Sequence, residues 1–95
     1  MKTVAFDPAD FLDGEDERSD YLRMACEDGS SAEIALALGA IARARGMGAL
    51  AEEAGLSRPS LYKALQAGGN PSFETIVRVA KALGYTVAFA KERAA

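Results

Sequence analysis

The tightest constraint on this chain lies in residues 49–65, ALAEEAGLSRPSLYKAL, where two short apolar periods flank a single glycine and a serine suited to capping. Leu50, Ala51 and Ala54 recur at the spacing of one helix face, and Ala51 is small enough for a second helix to cross it closely. Gly55 follows where a helix commonly ends in the left-handed conformation, which glycine adopts without steric cost. Leu56 would plug the corner and Ser57 would cap the next helix. Pro59 falls in its first turn, where a missing N–H is tolerated. In that second helix Leu61, Ala64 and Leu65 share an inward face. The segment therefore predicts two short helices joined by a sharp turn.

The outer face of the second helix carries Arg58, Ser60, Tyr62 and Lys63 and no acid. A helix that enters a DNA major groove needs such a face, so the segment reads as a helix-turn-helix with Ser57, Arg58, Ser60, Tyr62 and Lys63 toward DNA. Arg58 is the candidate for two-pronged hydrogen bonding to guanine, and Ser60 or Tyr62 for neighbouring base edges. Lys63, Arg43 and Arg45 are assigned to phosphates, as are Asn70 and Ser72 at the start of the last helix. A plain helical hairpin with a solvated outer face has the same periodicity. The combination of small residue, glycine, apolar corner, serine cap and acid-free face favours DNA as the partner.

Around this segment the chain reads as all-α. Asp7 and Pro8 look like a cap and first turn for residues 8–12. Asp13 is expected to cap a helix running to about Asp28, with Tyr21, Leu22, Ala25 and Cys26 on one side and Gly29 ending it. Ser30 and Glu33 have capping-box spacing and open a helix to about Arg45, with Ile34, Leu38, Ile41 and Ala42 inward and Gly46 closing it. The loop from Gly68 through Pro71 leads to Ser72, expected to cap a last helix with a stripe of Phe73, Ile76, Val77, Ala80 and Leu83, stopped by Gly84. Beyond it Tyr85, Val87 and Phe89 alternate with Thr86 and Ala88, a short strand signal. A strand needs a partner, either residues 2–6 or a second chain; otherwise the segment is an extension tucked on the core. The fold expected is a five-helix domain, with residues 1–29 as an acidic helical extension and residues 30–95 as the helix-turn-helix part of one compact unit.

Charge is distributed unevenly. The net charge of −3 divides into −6 over residues 1–30, nine acids against three bases, and +3 over residues 31–95, eight bases against five acids. Two partners of opposite charge are therefore conceivable. Acids in a first helical turn are also favoured by the helix dipole, so a solvated face explains part of the pattern. A single reading helix covers few bases, which implies a two-fold dimer on paired half-sites. Phe73, Tyr85, Val87 and Phe89 are the apolar residues available for that interface, unless they belong to the core of their own chain.

Enzymatic chemistry is not expected. The chain has no histidine, one cysteine, and no phosphate-cradling glycine loop. No metal, cofactor or small-molecule substrate is expected, because nitrogen ligands are absent and the acids lack calcium-loop spacing. Cys26 stands beside Glu27 and Asp28, which disfavour a thiolate. No apolar run approaches a membrane span and the N-terminus lacks the pattern of a secretion signal, so a cytoplasmic location with no membrane partner is expected.

The stretches GMGALAEEAGLSRPSLYKAL and GGNPSFETIVRVAKALG resemble the phage-repressor (Xre) class of helix-turn-helix. More narrowly, FDPADFLDGEDERSDYL and ALGAIARARGM, in order with those stretches, resemble the addiction-module antidote proteins, a HigA-like antitoxin family. That resemblance covers nearly the whole chain. It implies a type II antitoxin that binds and silences a RelE-like toxin and represses its own operon at operator DNA. Asp13, Glu15, Asp16, Glu17, Asp20 and Tyr21 then become the candidate toxin-binding residues, since a toxin that cleaves RNA or docks on ribosomes must be basic. This chain has Gly48 and Ala49 where the family commonly shows Thr-Gln, which weakens the expected backbone contacts to DNA. A free-standing helix-turn-helix regulator with no toxin partner is the alternative, and it would lack a neighbouring small basic gene.

Overall fold

In the computed structural model, which describes residues 7–92 and every side chain among them except that of Asp28, the chain forms a 3₁₀ turn and five α-helices. The turn spans Pro8–Phe11 and is followed by α1 (Glu15–Asp28), α2 (Ser31–Arg45), α3 (Met47–Ala54), α4 (Arg58–Leu65) and α5 (Phe73–Ala82). The boundaries follow local chemistry. Asp7 accepts a hydrogen bond from the Ala9 N–H at the start of the 3₁₀ turn. Ser30, Ser57 and Ser72 accept from the N–H groups of Glu33, Ser60 and Thr75, which caps α2, α4 and α5.

α2 is the central element and packs against the 3₁₀ turn and all four other helices. Leu38 and Ile41 of α2 join Leu12, Leu50, Leu61, Leu65, Val79 and Leu83 in one apolar core, and no polar side chain is buried among the described residues. Leu12 belongs to the acid-rich N-terminal stretch, so that stretch contributes to the core as well as to the surface. Gly39 lets α4 approach: a Cβ there would lie 2.8 Å from the Leu65 carbonyl oxygen. At Gly46 the chain bends by 117° between α2 and α3. Among the described residues no single helix is long and apolar enough to cross a membrane.

Several sequence expectations are corrected. Gly14, not Asp13, precedes α1 as its cap residue, and it supplies no side-chain bond. Arg18 instead donates to the carbonyl oxygens of Leu12 (2.9 Å) and Asp13 (3.0 Å), which secures the entry to α1. Cys26 is exposed, outside the partly buried side formed by Tyr21, Leu22 and Ala25. On α5, Val79 is fully buried with Ala80 and Leu83, while Phe73 lies at the helix start and is 62% exposed. Residues 85–90 form no strand, and no strand occurs among the described residues. An isolated extended segment has no ladder to satisfy its backbone groups. Of the two pairings expected for it, the one with residues 2–6 lies outside the described residues.

Candidate functional site

The turn between α3 and α4 is built as its sequence requires. Gly55 has φ 72°, and the Leu56 N–H reaches back to the Ala51 carbonyl at 2.9 Å, so the end of α3 is closed while Leu56 packs on the core. α4 then starts at Ser57, whose hydroxyl accepts from the Ser60 N–H (3.1 Å) and donates to the Ser60 hydroxyl (2.8 Å). Leu61 and Leu65 anchor the inner face, and Ser57, Arg58, Ser60, Tyr62 and Lys63 are all exposed. Arg58 and Lys63 have no side-chain partner among the described residues. The outer face thus presents two unpaired cations, a phenol and two hydroxyls already engaged with each other.

The other cations assigned to phosphate are held within the fold. Arg43, near the end of α2, forms two parallel bonds to Asp7, Nη2 to Oδ1 at 2.7 Å and Nε to Oδ2 at 3.2 Å. The guanidinium lowers the Asp7 pKa, helped by the Ala9 N–H, and Asp7 in turn raises that of Arg43. Tyr21 and Tyr62 lie near enough to Arg43 to reinforce that rise. Arg45 donates to the Leu83 carbonyl at 2.8 Å, which ties the end of α2 to the end of α5. Asn70 is exposed in the loop before α5 with φ 47°, and the Ser72 hydroxyl caps α5 through Thr75. The Asp7 partnership of Arg43 and the clamp made by Arg18 escape sequence reading, because an arginine contact across the fold leaves no periodic trace.

The acidic residues Asp13, Glu15, Asp16, Glu17 and Asp20 are exposed, and Tyr21 is half-buried against the core. Glu15, Asp16 and Glu17 occupy the first turn of α1, where the helix dipole stabilises them. Phe73, Val87 and Phe89 border a groove between α5 and the C-terminal segment, with Val77, Lys81 and Thr86. Phe89 is 91% exposed. Tyr85 stands apart from these three: its N–H bonds to the Ala80 carbonyl at 2.8 Å, and its hydroxyl meets that of Ser19 at 3.3 Å.

Residues 2–91 match the model of a family described as probable addiction module antidote protein. A Haemophilus influenzae protein described as uncharacterized is 47% identical over 78 residues, which cover 82% of this chain and 80% of that protein. No solved structure matches.

Proposed function

The chain belongs to the family of probable addiction module antidote proteins, so its role is that of an antitoxin, and we propose that it acts as one in two ways: it binds a RelE-like toxin directly and represses its own operon through α3 and α4. In this reading α3, the Gly55 turn and α4 work as a phage-repressor type helix-turn-helix. The observation that carries the DNA half is the outer face of α4, where Arg58, Ser60, Tyr62 and Lys63 are exposed without an acid among them. Arg58 reads guanine, Tyr62 and Ser60 meet adjacent base edges, and Lys63 pairs with phosphate. The first-turn N–H groups of α5, beside Asn70 and Ser72, offer a further phosphate contact.

A two-fold dimer supplies the second reading helix, with Phe73, Val87 and Phe89 covered between copies. In that dimer residues 86–90 would pair with a backbone segment of the second copy. The toxin-binding half rests on family membership and on the charge of the N-terminal stretch. Glu15, Asp16, Glu17 and Asp20 draw in a basic partner.

The test combines two measurements on the full chain. Its own upstream DNA should bind with steep salt dependence, and the product of the adjacent small reading frame should co-purify with it. Binding of the neighbouring product without any DNA binding would leave an antidote that is no repressor.

A further inference from the structure

Apolar exposure on this chain is not confined to α5. Between α1 and α2, Tyr21, Met24, Ala25, Leu36 and Ala37 line an open groove of about 290 Å³ with Glu33 at its edge. Met24 is 60% exposed and Leu36 42%, while Leu38 and Ile41 of the same α2 are sealed in the core. A lone exposed apolar side chain is ordinary, but two large ones facing each other across a groove form a surface. The edge is acidic. Asp20 and Glu27 stand one helical turn before and after Met24, and Glu33 one turn before Leu36. Arg23 is ion-paired with Asp20 (3.3 Å) and Glu27 (3.6 Å), so these two acids and one base leave the α1 side with a net negative charge, and Glu33 on the α2 side is unopposed by a base among the groove's lining residues.

We infer that the groove between α1 and α2 is the docking site for the toxin, and that it takes an apolar side chain of a Lys- or Arg-flanked segment between Met24 and Leu36. The inference rests on the antitoxin reading and adds where the partner's anchor sits. Charge chooses the occupant: a second copy would set one acidic edge against another, and DNA would meet carboxylates, whereas a basic segment finds complementary charge on both sides of an apolar floor. The division of labour follows. Buried apolar anchors hold a complex together, while edge charges speed encounter.

The experiment uses the full chain and the purified product of the adjacent small reading frame as probe. The double variant M24S/L36S should weaken that complex at least tenfold, mainly through faster dissociation, while helix content, melting and DNA binding stay unchanged. Met24→Leu should retain the affinity. Reversal of charge by Glu33→Lys should slow association and reduce its salt dependence. If the unaltered chain fails to bind the probe, the antitoxin pairing falls and this docking site with it. If the unaltered chain binds and M24S/L36S binds equally well, the pairing stands and the groove is not its site. If the double variant changes the sedimentation of the free chain instead of the probe affinity, the occupant is a second copy and the inference is overturned.

Discussion

Asp7 and Arg43, 36 positions apart, share two parallel hydrogen bonds that hold the N-terminal 3₁₀ turn to the end of α2. The pair is partly exposed, so its effect on overall stability is small, yet it decides where two segments lie.

The first expectation concerns pH. The Asp7 pKa is held below its ordinary value of 3.8, first by the Arg43 hydrogen bond and then by the Ala9 N–H. A carboxylate depressed in the folded state contributes stability above its unfolded pKa, and that contribution is lost as pH falls through the folded value. The 3₁₀ turn should therefore stay docked at neutral pH and loosen below 3.8. An NMR titration of the Asp7 carboxyl should find its midpoint low, and Arg43→Ala should move it back toward the ordinary value. An unshifted midpoint in the unaltered chain would show that the pair does not persist in solution.

Arg43 also has a consequence for DNA. If phosphate and Asp7 compete for one guanidinium, Asp7→Asn removes the competitor. The variant should bind DNA of any sequence more tightly, and its log-log salt dependence should steepen by about one. Unchanged affinity and slope would mean that Arg43 takes no part in DNA contact.

Two glycines in helices should respond with opposite sign. At Gly39 a methyl group meets the Leu65 carbonyl oxygen at 2.8 Å, and neither α2 nor α4 can yield without disturbing the core. Gly39→Ala should cost about 1–3 kcal/mol in urea unfolding, the usual range for overpacking. At Gly48 an added Cβ meets nothing within 4 Å, and Gly48→Ala should stabilise α3 by about 0.5 kcal/mol.

Those glycines mark what could be read from the chain without its fold. Gly55 and the caps Ser30, Ser57 and Ser72 were legible because each acts on residues within one turn of itself. The burial of Leu50, Leu61 and Leu65 was legible because helical period alone assigns it. Gly39 was not, since its role depends on where α4 crosses α2. The centre of the α5 stripe is not legible for the same reason: Phe73 and Val79 are both apolar, and the packing of α5 against α3 and α2 decides that Val79 is the one sealed. Tyr85, Val87 and Phe89 do alternate, but alternation says nothing of whether a neighbouring strand exists. Met24 and Leu36 were missed because each falls outside the main apolar stripe of its helix, and the groove appears only when α1 and α2 are set side by side.

The proposed dimer can be tested without touching the core. Phe73 and Phe89 are exposed in the single chain, so replacing both with Ser should leave its intrinsic stability within about 0.5 kcal/mol. Sedimentation should show the unaltered chain as a dimer and the double variant shifted toward monomer, with weaker binding to a two-half-site operator. A monomer in both cases would remove this face from consideration.

The sharpest expectation separates two residues of α4 that are both cationic and both without a side-chain partner among the described residues. Arg58 is the first residue of the helix, next to the cap, and Lys63 is more than a turn further on; in the proposed docking the tip residue faces base edges and the later one the duplex backbone. Arg58→Ala should cost about 1–3 kcal/mol at the operator and relax the preference at one base pair. Lys63→Ala should weaken all sequences alike and lower the salt slope by about one, with the base preference unchanged. Neither residue is buried, so melting temperatures should stay near that of the unaltered chain. Gel-shift titrations at several salt concentrations, on the operator and on its single-base variants, distinguish these effects. If both variants bound every target like the parent, α4 would not be the element that enters the groove, and repression would have to be sought elsewhere on the surface.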